Sequence, residues 1–324
     1  MKLSRKNLLV TTGDADGVGF EVAAKSLIQL PAIFFKSNRI FLFVTKKYQA
    51  RYFELLKKHF FLNVVTTTSL DFDLWDLDTK SRKPVLNFVV ATDSPADWIL
   101  NLAKICLDNS STTALVTGPL SKTLIKDAGY SFVGHTEILA HVSKAKSLYM
   151  GFVGKYFNVV LLTGHVPLCR VSKELKRIDW KGVFDITHAF RRSLPQRKKP
   201  VAMVGVNPHA GEKGMISAGE EDYLSKQINL DKNRLGIKGP LVPDAAFLKS
   251  NWEKYSVYLC PYHDQGLIPF KAIHGQDSGV HVTLGLPFVR TSVDHGTAKE
   301  IFGKNLANPN SMKEALLLAV RLLH

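Results

Sequence analysis

The stretch NLLVTTGDADGVGFEVAAKSLIQL, residues 7–30, sets the terms for the whole chain. Leu8–Thr12 is a short apolar run with the length and composition of a buried strand. A turn marked by Gly and Asp, GDADGVG (13–19), comes next. Phe20–Leu30 then places apolar residues at helical spacing. Strand, polar turn and helix in that order make one step of a parallel α/β fold.

The same step recurs downstream. Apolar runs at Ile40–Val44, Ala114–Thr117, Val159–Thr163, Val201–Val206 and Ser256–Cys260 read as strands, with Val280–Leu284 as a seventh. Helical spacing appears at Gln49–His59, Ala96–Asp108, Thr136–Val142, Trp180–Arg192 and Met312–Leu323. The expected fold is therefore α/β, with mostly parallel strands and helices on both faces. Thr66–Lys83 is polar and irregular and reads as surface.

Length and composition bound the rest. At 324 residues the chain is long for one core and comfortable for two α/β domains. The net charge of +15 raises nucleic acid or an anionic membrane as a partner. Its basic clusters are short and scattered, such as Lys46–Arg51, Lys173–Arg177 and Arg191–Lys199, and none forms a repeated nucleic-acid motif. A positive field of this kind also suits an anionic small substrate. Cys106, Cys169 and Cys260 are far apart and form no zinc pair or disulfide framework, so they read as small buried hydrophobes. No run is apolar enough to span a membrane, and the basic start lacks a signal-peptide core. The expected setting is cytoplasmic, without membrane or nucleic acid.

The turns at the strand ends carry the chemistry. The strands lead into GDADGVG, TGPLSK (117–122), GHVPL (164–168), NPHAGE (207–212) and YHDQG (262–266). In open α/β sheets, ligands sit at the carboxyl ends of the strands. Three of these turns hold a histidine: His165, His209 and His263. Taken singly, each reads as an ordinary residue of a polar loop. Together, just past three strands, they form a candidate set of three imidazole ligands for a divalent metal with an open position. His135 or Thr136 can cap the helix after Gly134, whose N-terminus suits an anion. Asp264 beside His263 can orient a ligand, and Lys271 can meet an anion or supply a proton. Arg290 ends the apolar run LGLPFV, and its fork fits carboxylate or phosphate. GDADGVG lacks the spacing of a dinucleotide glycine loop and reads as a tight turn.

At these segments, together with GHTEILA, TGHVPL, YHDQGLIPFKA, GVHVTLGLPFVRTSVDHGTA and GKNLANP, the chain resembles the 4-hydroxythreonine-4-phosphate dehydrogenase family of vitamin B6 biosynthesis. The resemblance runs through almost the whole chain in order. It implies an isocitrate/isopropylmalate-dehydrogenase-like fold of two α/β/α domains with a cleft between them. Residues 1–130 plus 271–324 would form the cofactor-side domain, and 131–270 the metal and dimerisation domain. It implies a homodimer with the active site at the interface, and a zinc, magnesium or cobalt ion on His165, His209 and His263 drawn from both subunits. Substrate contacts would be His135, Thr136, Lys271, His281 and Arg290, with Asp244 and Asp264 as polar neighbours. NAD or NADP would lie on His295, Gly296, Thr297, Asn305 and Asn308. The implied reaction oxidises and decarboxylates 4-phosphohydroxy-L-threonine to 3-amino-2-oxopropyl phosphate.

The chain departs from the family pattern at several points. Ala15 and Phe20 replace prolines, Gly164 replaces a threonine, His281 replaces an asparagine, and Glu212–Glu221 is spaced differently. His281 opens an alternative substrate, a four-carbon sugar-acid phosphate such as threonate or erythronate 4-phosphate. An alternative of another class is a basic nucleic-acid-binding protein that keeps the fold without catalysis. It predicts salt-sensitive binding to generic DNA or RNA.

Overall fold

The computed structural model describes residues 5–66, 81–275 and 278–323, with the backbone alone at 232 and 233. Most of the irregular segment Thr66–Lys83 lies outside the described residues. In chain order the strands are β1 (Lys6–Thr11), β2 (Asn38–Thr45), β3 (Phe61–Val65), β4 (Val85–Ala91), β5 (Thr113–Thr117) and β6 (Tyr149–Val153). They continue as β7 (Asn158–Leu161), β8 (Val201–Val204), β9 (Lys238–Leu241), β10 (Val257–Cys260), β11 (Val280–Leu284) and β12 (Val289–Val293). The chain divides into two compact units, Met1–Lys146 with Leu286–His324, and Ser147–Gly285.

In the first unit the strands lie in the order β3-β4-β2-β1-β5-β12, every pair parallel. Such strands are covered on both faces and read as unbroken apolar runs, and Leu8, Leu9 and Val10 are fully buried. Leu9, Phe41, Phe43 and Leu115 pack with Trp98, Ile99 and Leu102 of the helix Pro95–Asp108. That helix starts where Ser94 and Asp97 form a reciprocal capping box ahead of Pro95. The helix Asn310–Leu322 packs on β12, β5 and β1. Helix His135–Ser143 buries Ile138 and Leu139 in the same core as Trp98. It thus belongs to the first unit rather than to the 131–270 segment where the sequence reading set it.

In the second unit the order is β11-β6-β7-β10-β8-β9. β7, β10, β8 and β9 are parallel, as expected. β6 is not: it runs antiparallel to both β7 and β11. The pairing with β6 also holds β11 in this unit. The core gathers Phe152, Phe157, Val159, Tyr258 and Phe270. Phe270 comes from the helix His263–His274, which begins where the sequence reading placed only a turn. Gly266 lets that helix lie close on β7, because a Cβ there would sit 2.6 Å from Val159 and 2.7 Å from Leu161.

Among the described residues no helix is long and apolar enough to cross a membrane. Cys106 and Cys260 are buried, as expected of small hydrophobes, but Cys169 is exposed.

Candidate active site

In the first unit three turns meet past the ends of β1, β5 and β12. The Asp14 carboxylate is 2% exposed and its Oδ1 accepts the Ser121 N–H at 2.8 Å. Lys299 reaches Asp14 at 3.3 Å and Asp16 at 2.8 Å. The Val18 N–H donates to the Thr297 carbonyl at 3.0 Å. Asp14 therefore ties the GDADGVG turn to the turn after β5 and, through Lys299, to the segment after β12. Gly13 is held at φ +70°, and a Cβ there would stand 1.8 Å from the Pro119 carbonyl oxygen. Gly13→Ala is expected to destabilise the protein by about 2–4 kcal/mol, from left-handed strain and overpacking together. A urea midpoint within error of wild type would refute this.

Arg290 does not end an apolar run as the sequence suggested. It is the second residue of β12, 2% exposed, and its Nη2 donates to Thr117 Oγ1 at 2.6 Å. A charge inside a parallel sheet is costly unless something compensates it. Burial pushes its guanidinium down to about 9, which still leaves a cation at neutral pH. His135 opens the helix His135–Ser143, and its Nε2 is buried without a hydrogen-bond partner among the described residues. Burial, and then the Arg290 guanidinium, push its imidazole down to about 3. A cation and a neutral imidazole that can donate a hydrogen bond suit an anionic substrate.

The depressed His135 has a consequence for stability. Unfolded, it takes up a proton below about 6.5; folded, it stays neutral until about 3. Stability should thus be lost as pH falls through that window, since the unfolded state then binds the extra proton. His135→Asn should flatten the dependence between pH 7 and 4 in denaturant titrations. Equal slopes for the two proteins would contradict the assignment.

In the second unit the His165 and His263 rings lie with centroids 5.0 Å apart. Their loops are tied by Thr163 Oγ1, which donates to the Pro261 carbonyl at 2.7 Å. His263 Nδ1 lies 2.7 Å from Asp264 Oδ1. A carboxylate on one ring nitrogen fixes the tautomer and leaves the other for a ligand. Among the described residues no three His, Cys, Asp or Glu are grouped closely enough to hold a metal within this one chain.

His209 stands in a run that the sequence did not foretell. His209, Ala210, Gly211, Glu212 and Lys213 all have positive φ, between 43° and 78°. Left-handed geometry costs a non-glycine residue roughly 1–2 kcal/mol. Two carboxylates at the start of the helix Glu220–Leu235 hold the segments that flank this run. Glu221 Oε1 accepts the N–H groups of Val206 and Asn207 at 3.0 and 2.8 Å. Glu220 accepts from Ser172, Ser217, Asn207 and the Ala218 N–H. Burial works against ionisation of both, but the hydrogen bonds outweigh it, holding Glu220 at about 2 and Glu221 below its usual range. The only signal in the sequence was the altered spacing of 212–221.

Of the other expected residues, Lys271 lies exposed on the helix His263–His274 and Thr136 is half-buried at the start of its own helix. Asp244 is exposed on the short helix Pro243–Ala246, which packs against the His209 turn. His281 is on β11 opposite Phe152, with ring centroids 5.1 Å apart. Phe152 in turn faces Val159 on β7, so His281 sits below the carboxyl end of that strand rather than beyond it.

The family described as "Pyridoxal phosphate biosynthetic protein PdxA" has a model that matches residues 92–319. The chain belongs to the PdxA family. A 4-hydroxythreonine-4-phosphate dehydrogenase from Sulfurihydrogenibium sp. (strain YO3AOP1) is 34% identical over 97% of this chain and 98% of its own. A relative from Oceanobacillus iheyensis, provisionally named D-threonate 4-phosphate dehydrogenase, is 30% identical over 99% of each chain. The crystal structure of a 4-hydroxythreonine-4-phosphate dehydrogenase from Burkholderia phymatum superposes with TM-score 0.71 at 26% identity, covering 98% of both chains. PdxA membership makes the chain a dehydrogenase-family protein and accounts for its two α/β units.

Within the PdxA frame, the structure joins Arg290 with His135, and His165 with His263 and Asp264. Asn305 and Thr297 serve backbone contacts to the helices and turns around them, Thr297 through Val18 and Asn305 through Lys25. His295 bonds through Nδ1 to the Gly296 carbonyl at 2.8 Å, and Asn308 Oδ1 accepts the Asn310 N–H at 2.9 Å.

Proposed function

We propose that this chain is an NAD(P)-dependent dehydrogenase that converts 4-phosphohydroxy-L-threonine to 3-amino-2-oxopropyl phosphate. The secondary alcohol gives its hydride to the dinucleotide and its proton to solvent, and the resulting β-keto acid loses CO2. The observation that carries this reading is the buried Arg290–Thr117 pair beside a neutral His135. It is a built place for one anionic group of the substrate. Lys271 supplies a second positive group or a proton for the decarboxylated carbon. Asp244 and Asp264 are the acidic groups available to the substrate amine.

His165, His209 and His263 would hold the divalent metal. The donor types suit such an ion: the His165 and His263 rings lie near each other, and Asp264 bonds to one of them. Such an ion supplies Lewis-acid polarisation of the substrate oxygen. The assembly we infer is a homodimer with the active site at its interface, working in the cytoplasm.

The test is NAD(P)H formation from 4-phosphohydroxy-L-threonine set against threonate and erythronate 4-phosphate. The amino acid is expected to give the highest kcat/KM. Preference for D-threonate 4-phosphate would transfer the chain to the reading that the Oceanobacillus relative favours. His281→Asn, which exchanges the imidazole for a shorter carboxamide, should change the substrate KM about threefold or more, the scale of one hydrogen bond gained or lost. An unchanged KM removes His281 from the substrate site.

A further inference from the structure

The helix Gly19–Gln29 carries a carboxylate where amphipathic packing alone would place an apolar group. Glu21 is 0% exposed. Its Oε1 accepts from Lys25 Nζ at 2.6 Å and from the Ala307 N–H at 2.9 Å. Lys25, one turn on, also donates to the carbonyls of Asn305 and Ala307 at 3.0 and 3.1 Å. All three protons of the ammonium are thereby used. The Ser26 hydroxyl shares its one proton between the carbonyls of Val22 at 2.6 Å and Pro309 at 2.8 Å, and Tyr52 donates to Asn305 Oδ1 at 3.2 Å. Burial, and then Glu21, push the Tyr52 phenol up, which keeps it a donor. Residues 305–309 have no regular structure, and Asn305 sits at φ +63°.

A buried ion pair seldom stabilises a fold more than apolar residues of the same size would. The effect of this pair is directional. It aims one N–H and two carbonyls of an otherwise irregular loop, and fixes which groups the loop turns outward.

We propose that Glu21 and Lys25 are a positioning pair for the nicotinamide dinucleotide, acting through the 305–309 loop. This rests on reading Asn305 and Asn308 as cofactor residues. Neither Glu21 nor Lys25 touches the cofactor. Each sets the shape of the loop that does.

The test compares Glu21→Gln, Lys25→Gln and Lys25→Arg with wild type, by calorimetric binding of NAD+ and NADP+ and by steady-state kinetics. Glu21→Gln and Lys25→Gln should weaken dinucleotide binding and raise its KM about tenfold, with substrate KM within twofold. Lys25→Arg, which keeps the charge and the donors, should recover most of the loss. Should Glu21→Gln fail to fold, the two Lys25 variants carry the comparison alone. A lowered Tm with unchanged dinucleotide affinity would make the pair merely structural and overturn the proposal. So would a matched rise in both Michaelis constants. Asn305→Ala with Asn308→Ala separates the two readings. If that double variant binds the dinucleotide normally, the loop leaves the cofactor site and the underlying assignment fails.

Discussion

Arg290→Ala is expected to lower kcat/KM for the phosphorylated substrate by about 10²–10³-fold, chiefly through KM. The magnitude comes from burial. Removing one partner of a buried charge pair costs about 3–5 kcal/mol, and each 1.4 kcal/mol is tenfold. Arg290 is 2% exposed and already oriented by Thr117, so little ordering is left to be done when the anion arrives. Arg290→Lys keeps the charge but not the planar fork, and should recover only part of the loss. The KM for dinucleotide should stay near wild type, which separates a substrate anchor from a general defect. A substrate KM within threefold of wild type in Arg290→Ala would remove the anion role.

His263→Ala is expected to abolish turnover to about 10⁻³ of wild type or less, and chelation should do the same to the intact protein. Adding back zinc, magnesium or cobalt should restore the chelated wild type and not the variant. Metal content, read by elemental analysis, should fall in parallel. Asp264→Asn offers a graded version. It keeps both imidazoles but weakens the acceptor on His263 Nδ1, 2.7 Å away. Loss of such an outer partner typically costs about 10–100-fold in metal affinity. A His263→Ala protein that keeps both metal and activity would sink the ligand assignment.

The sequence revealed strands where apolar residues ran together, as in β1, β2, β5, β7, β8 and β10, and β11 was legible despite His281 and Thr283. The strands it hid are those whose runs are interrupted. β4 carries Asn87, whose side chain accepts from Asn63 of the neighbouring β3 at 2.9 Å. β9 holds Gly239 and Pro240. β12 holds Arg290, whose charge masked a largely buried strand as the end of a run. The polar helix Glu220–Leu235 has no strong apolar stripe to announce it. The candidate histidines were legible because each stands just past an apolar run. The left-handed turn around His209 was not, since nothing local favours positive φ at Ala210, Glu212 or Lys213. The groups that hold its flanks lie further along, in the carboxylates of Glu220 and Glu221.

The first unit is closed by a strand made late, β12. A ribosome delivers residues 1–146 first, yet β5 gains its outer neighbour only when β12 emerges, and the cover over β12, β5 and β1 comes from the helix Asn310–Leu322. Ser147–Gly285 is complete before that happens. For that interval a nascent chain carries a finished second unit together with an open strand edge and a bare apolar face, the features that invite aggregation. A stop placed before Arg290 would make that interval permanent, and Thr117 would never meet its arginine.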